Sequence, residues 1–132
     1  MQLYKIDTIR THNSNENAAE KIAKLWASNQ PKLPLNMPCY AIYDHYESDF
    51  KGYYDVSIAT EQQPNENSDL LEINDFTFYE IFRTDKNNLL ETWQRIWRKE
   101  QQGLLKRSYQ VDFEKHYPDN KIDIYISVIP HC

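Results

Sequence analysis

Residues 20–26, EKIAKLW, return as residues 91–97, ETWQRIW, and this repetition decides the fold. When the chain is shifted by 71 residues, the glutamate, the fifth-position basic residue, the aliphatic residue and the tryptophan all coincide. The same shift places residues 45–46, HY, on residues 116–117, HY, without a gap. Ordered matches at one spacing indicate two copies of a single supersecondary unit.

Each copy begins with a predicted strand and continues into a predicted helix. Residues 4–11 and 76–84 are rich in β-branched and aromatic side chains, which is typical of strands. In the first copy, Asn15 or Asn17 caps a helix whose apolar residues recur every three or four positions until Pro31. An equivalent apolar stripe follows in the second copy.

A predicted hairpin follows each helix, from residues 40–46 and 53–60 in the first copy and from 108–117 and 121–129 in the second. A short extra strand is expected at residues 70–73. The doubled order predicts an α+β fold of duplicated β-α-β-β modules with pseudo-twofold symmetry, in which two helices pack against one antiparallel sheet. A groove on such an axis is a natural ligand site.

The length of 132 residues predicts a single domain. Repeat one covers about residues 1–60, a polar linker about residues 61–69, and repeat two about residues 70–132. Because neither half can bury its helix stripe alone, we expect the halves to pack together.

The composition excludes several classes of function. Glycine occurs only at Gly52 and Gly103, so the chain has no glycine-rich phosphate loop. The net charge is -5, which repels nucleic-acid phosphates. The basic residues from Arg95 to Arg107 are interpreted as a solvated helix face. We therefore expect no direct binding of nucleic acid.

The cysteines and histidines predict neither a disulfide framework nor a metal site. Cys39 and Cys132 are too few for a framework and indicate reduced thiols, hence a cytoplasmic protein. His45 and His116 lack a third ligand at convincing spacing. Without a signal peptide or an apolar span, no membrane association is expected. No cofactor and no catalytic residue is assigned.

Alternation along the last hairpin selects candidate groove residues. A turn centred on residues 119–120 sets Glu114 opposite Tyr125. The repeat places Tyr43 where Glu114 stands and Ser57 where Tyr125 stands. We therefore expect one polar face to collect Tyr43, Ser57, Glu114 and Tyr125.

The three tryptophans have two interpretations, as core residues or as ligand contacts. Trp93 and Trp97 lie four residues apart on one helix, so they share a face and can form an aromatic wall. Trp26 is more typical of a core stripe but is kept as a candidate contact.

Glu114 among these rings predicts a preference for cations. A carboxylate that is partly removed from water is costly to leave unpaired, and an incoming cation relieves that cost. Each Tyr or Trp face adds about 0.5–2 kcal/mol of cation–π attraction. A strand glutamate can instead simply face water, and the sequence leaves this alternative open.

The second half of the chain resembles a known family. Its motifs are Trp93-x-x-Ile96-Trp97, the Arg-x-Tyr at residues 107–109, DFEKHY at 112–117 and IDIYISV at 122–128. They resemble the GyrI-like effector-binding domains, which follow DNA-binding modules in MerR-type and AraC-type transcription regulators and also occur as free proteins. The resemblance covers nearly the whole chain.

This resemblance implies a duplicated β-α-β-β fold with a central aromatic cleft for lipophilic, often cationic, drugs and dyes. It implies that Glu114 meets the ligand and that Tyr43, Trp97 and Tyr125 supply aromatic contacts. The chain looks like a stand-alone member, such as those carried on mobile integron cassettes. It would then sense or sequester amphipathic cationic small molecules, with a regulator protein as a further partner.

The family also implies two alternative functions. Some GyrI-like proteins hydrolyse reactive cyclopropane-type electrophiles, and here Glu114 would activate water while Tyr125 orients it. Other relatives resemble inhibitors of DNA gyrase, which implies a ligand-responsive protein-interaction module. The sequence alone leaves open whether the protein is an enzyme.

Overall fold

The part of the chain that the structure describes contains two α-helices and seven strands, in the order that the repeat predicts. The computed structural model describes residues 1–13, 17–49, 51–64 and 68–130. In chain order the elements are β1 (Gln2–His12), α1 (Ala18–Asn29) with a 3-10 turn (Gln30–Lys32), β2 (Cys39–Asp44), β3 (Tyr53–Thr60), β4 (Asp69–Glu72), β5 (Tyr79–Asp85), α2 (Leu89–Gln101), β6 (Asp112–His116) and β7 (Lys121–Ser127).

The sheet has a nearly palindromic strand order, β4-β1-β3-β2-β6-β7-β5, with every pairing antiparallel. Strands β1, β3 and β2 of the first copy mirror β5, β7 and β6 of the second. At the centre, Ile42 of β2 pairs with Phe113 of β6, and these positions differ by the repeat length, 113 − 42 = 71. The pseudo-twofold axis therefore passes through this pair, which confirms the duplicated α+β fold.

Both helices cover the same face of the sheet. Leu25 of α1 packs with Val56 and Ile58 of β3. Ile96 of α2, which is fully buried, packs with three isoleucines of β7. Burial of each such side chain stabilises the fold by about 1.5–3 kcal/mol. The helices thereby stand side by side above the sheet, with the twofold axis between them.

The register of the β6–β7 hairpin differs by one residue from the prediction. Residues 118–120 form a three-residue loop, closed by a hydrogen bond of 2.9 Å from Tyr117 N to Lys121 O, in which Asn120 has a left-handed φ of 78°. A left-handed residue after a turn is a common way to close an odd loop, whereas the prediction assumed an even one. Glu114 consequently pairs with Ile124. The predicted pairing of Glu114 with Tyr125 is wrong.

Tyr125 and its repeat equivalent Ser57 lie on the face opposite the helices. The Tyr125 ring stacks on Phe113 with centroids 4.4 Å apart and an interplanar angle of 13°. Ser57 pairs with Ile42, and its Oγ lies 2.7 Å from Oγ1 of Thr8. Both residues belong to the packing of this second face, so the structure places them outside the groove between the helices.

Some element boundaries also differ from the predictions. β6 begins at Asp112 rather than at residue 108, because Tyr109 adopts a left-handed φ of 54° and interrupts the extended chain. The cap candidate Asn15, Cys132 and the middle of the predicted linker lie outside the described residues. Within the described ranges, no helix has the length and apolar character of a membrane span.

Candidate ligand-binding site

A cavity of about 490 Å³ opens between α1 and α2, above strands β2, β3 and β6. Its volume is typical of small-molecule sites. Among the described residues that line it, six are aromatic: Tyr43, Tyr46, Tyr54, Trp93, Trp97 and Tyr109.

The two helix walls of the cavity differ because equivalent residues differ in size. Ala18 and Ile22 of α1 occupy the repeat positions that Leu89 and Trp93 occupy in α2, and all four line the cavity. The small side chains of α1 leave space near the axis. The larger side chains of α2 form the opposite wall.

Glu114 forms the floor of this cavity and is only 3% exposed. Its Oε2 accepts hydrogen bonds from Tyr43 Oη at 2.8 Å and from Trp93 Nε1 at 2.7 Å. Its Oε1 lies 2.7 Å from His116 Nε2. Hydrogen bonds to an ionised group are stronger than neutral ones, so the carboxylate is held in one orientation.

The Tyr43 hydroxyl remains a donor to this carboxylate. Burial raises the pKa of Tyr43 well above its usual range, and the nearby charge and hydrogen bond of Glu114 raise it further. The phenol is therefore protonated at neutral pH. Since Tyr43 and Glu114 are repeat equivalents, their hydrogen bond joins the two copies close to the axis.

Arg107 and Asp112 form a second buried charge pair beside the cavity. Arg107 Nη2 lies 2.8 Å from Asp112 Oδ2, which also accepts from Tyr46 Oη at 2.6 Å. Asp112 Oδ1 accepts from the backbone N and the Oγ of Ser127, at 2.7 and 2.9 Å. The guanidinium lies 4.5 Å from the Tyr109 ring centroid. Arg107 is 7% exposed, so its interpretation as part of a solvated helix face is wrong.

The structure brings four of the seven predicted contact residues together. Tyr43, Trp93, Trp97 and Glu114 line the cavity. Trp26 instead packs into the core under α1, with its ring centroid 4.6 Å from that of His116. Tyr125 and Ser57 lie on the other face of the sheet, as described above.

Sequence reasoning missed several lining residues. Tyr54 has the same parity along β3 as Val56, so strand alternation alone could have placed it on the helix face. Arg107 and Tyr109 stood in a motif next to the glutamate segment, but the charge of Arg107 suggested the surface and Tyr109 was given no role. No comparable signal marks Tyr46.

One cluster of potential metal ligands lies at the far end of β2. Among the described residues, donor atoms of Asp44, His45 and Asp55 lie within 4.8 Å of one another. Lys5 Nζ is 2.6 Å from Asp44, and Arg10 Nη1 is 2.9 Å from Asp55. These cations already balance the two carboxylates, and we assign no metal to the cluster.

A duplicated fold with a cavity between its two helices is the arrangement expected for effector-binding domains. The family model of Cass2, the integron-associated effector binding protein, matches residues 6–128, and the chain belongs to this family. No curated protein sequence matches the chain.

Solved structures confirm the fold. The integron cassette protein VCH_CASS2, from the mobile metagenome of Vibrio cholerae, is similar with a TM-score of 0.80 and 26% identity, over 97% of this chain and 90% of that one. SAV2435, solved with bound tetraphenylphosphonium, is similar with a TM-score of 0.64 and 14% identity, over 97% of this chain and 88% of that one. The second likeness concerns the fold alone.

Proposed function

We propose that this effector-binding protein takes up lipophilic organic cations in the cavity between α1 and α2, in a regulatory or sequestering role. The observation that carries the proposal is the Glu114 carboxylate, 3% exposed at the floor of a cavity with six aromatic lining residues. No other carboxylate lines the 490 Å³ cavity among the described residues.

The affinity comes from charge and aromatic surface together. The attraction between Glu114 and a cation is stronger in this shielded space than in water, because the effective dielectric constant is lower. The faces of Tyr43 and Trp93 add cation–π attraction of about 0.5–2 kcal/mol each. We expect micromolar dissociation constants, which correspond to about -8 kcal/mol.

The similar fold of SAV2435 supports the choice of ligand class. Its solved complex contains tetraphenylphosphonium, a lipophilic cation without hydrogen-bond donors. Such a ligand depends on charge and ring contacts rather than on directional hydrogen bonds. The cavity of this chain offers the same two kinds of interaction.

The hydrolytic alternative lacks structural support. Tyr125, the expected water-orienting residue, lies on the opposite face of the sheet, stacked on Phe113. Both oxygens of Glu114 already contact side-chain partners. The arrangement therefore favours binding of a cation over activation of water.

Paired titrations with methyltriphenylphosphonium and neutral triphenylphosphine oxide test the proposal. Trp93 and Trp97 lie with ring centroids 6.2 Å apart at the cavity wall, so ligand entry should change tryptophan fluorescence. We expect the cation to bind at least about tenfold more tightly than the oxide, or about 1.4 kcal/mol. Equal affinities for the cation and the oxide, or no saturable change in fluorescence with the cation, would contradict the proposal.

A further inference from the structure

A smaller hollow of about 210 Å³ adjoins the main cavity. It is lined by Asn13, Trp97, Glu100 and Gln101, and it shares Asn13 and Trp97 with the main cavity. The two spaces therefore meet at the Trp97 ring. A ligand that fills the main cavity can extend past this ring toward Glu100.

Helix geometry places Glu114 and Glu100 at opposite ends of an aromatic wall that is formed by the two tryptophans of α2. Trp93, Trp97 and Glu100 follow one another at helical spacing, so they share one face of α2. With a rise of 1.5 Å per residue, Glu100 lies roughly 10 Å along the helix from Trp93. Trp93 itself donates to Glu114 at 2.7 Å. The wall thus runs from Glu114, past both indoles, to Glu100.

The charges along this wall leave two carboxylates for a ligand. Arg107 is closest to Asp112, at 2.8 Å, and lies farther from Glu100, at 3.7 Å. Arg107 therefore has two carboxylate partners, Asp112 and the more distant Glu100, while Glu114 Oε1 lies 2.7 Å from His116 Nε2. Because Asp112 holds Arg107 most closely, Arg107 balances the charge of Glu100 only in part. The Tyr109 hydroxyl donates to Glu100 and adds no charge.

We infer that the cleft prefers elongated dications, with one cationic head at Glu114 and a second, separated by an apolar arm, at Glu100. This inference rests on the proposed function and specifies its ligand class. The arm lies along Trp97, and the second head occupies the smaller hollow. The Glu100 side chain is 18% exposed, so its attraction is partly screened by water and the gain is moderate.

A matched pair of probes isolates the second charge. Both carry a triphenylphosphonium head and a hexamethylene arm, which ends in trimethylammonium in one probe and in the isosteric, neutral tert-butyl group in the other. We expect the dication to bind about tenfold more tightly to the unmodified protein, since its two heads act together. The same pair built on an ethylene arm, too short to pass Trp97, should show no such gain.

Glu100→Gln should abolish the gain and leave the affinity of the tert-butyl probe within about twofold. Glu91→Gln is the matched control, because Glu91 is an exposed glutamate in the first turn of the same helix and should preserve the gain. Equal binding of the two hexamethylene probes, or a gain that survives in Glu100→Gln or with the ethylene arm, would overturn the inference while the monocation still binds. If neither probe binds, the proposed function itself fails.

Discussion

Glu114→Gln should weaken methyltriphenylphosphonium binding about thirtyfold, which corresponds to about 2 kcal/mol. Glutamine keeps the size of the side chain, and its carbonyl oxygen can still accept from Tyr43 and Trp93. The substitution therefore removes the charge while it preserves the shape of the cavity. Calorimetric titration of both proteins with the cation measures the loss.

Triphenylphosphine oxide provides the internal control for this substitution. Its affinity should change by less than about twofold, because it gains nothing from the carboxylate charge. Glu80→Gln, at an exposed position on β5, controls for the change in net charge and should leave both affinities unaltered. If Glu114→Gln weakens the cation and the oxide equally, shape rather than charge governs binding.

Asp112→Asn should lower the free energy of unfolding by about 3–5 kcal/mol, the usual cost of removing one partner from a buried ion pair. Asp112 is fully buried, and Arg107 beside it is 7% exposed. Asparagine leaves the guanidinium without its closest counter-charge, and the next carboxylate, that of Glu100, lies 3.7 Å away. It also points an amide donor at Arg107 Nη2 or Tyr46 Oη, both of which now donate to Asp112. Urea denaturation followed by circular dichroism measures the loss.

The double variant Arg107→Met with Asp112→Asn tests the cause of this loss. Replacing Arg107 removes the positive charge that Asp112→Asn leaves without its closest partner, and the asparagine carbonyl can still accept from the backbone of Ser127. We expect the double variant to recover at least about half of the lost stability. A double variant less stable than Asp112→Asn, or a single variant within about 1 kcal/mol of the unmodified protein, would refute this explanation.

The duplication could be predicted from the sequence because the apolar residues of the two helices recur at the same spacing. Trp26 and Trp97 mark equivalent positions, and the order of strand, helix and hairpin then follows in both copies. The observed pairing of Ile42 with Phe113 has the same offset of 71 residues. Glu114 could be named as a candidate from the aromatic residues around it, but the sequence left open whether it faces water, and only the packed structure shows it 3% exposed.

The face of each hairpin residue could not be predicted, because it depends on one loop residue. Period-two alternation reverses when the register shifts by one position. Asn120 in a left-handed conformation makes the loop odd, and that moved Tyr125 away from Glu114. Asparagine tolerates this conformation, but its presence does not require it.

The burial of Arg107 could not be predicted for a different reason. An arginine next to Lys106 and close to a polar helix end is predicted to be a surface residue. Its burial depends on Asp112, which a left-handed Tyr109 brings close in space. The position of the Trp26 side chain also depends on a residue that is distant in sequence, because its ring lies against that of His116 in the packed structure.

A crystal structure of the protein with methyltriphenylphosphonium examines the electrostatic basis of recognition most directly. The phosphorus atom should lie in the cavity between the helices, on the open side of the Glu114 carboxylate, with phenyl rings against Tyr43 and Trp93. A cation bound elsewhere on the protein, with the cavity between the helices left to solvent, would contradict the account.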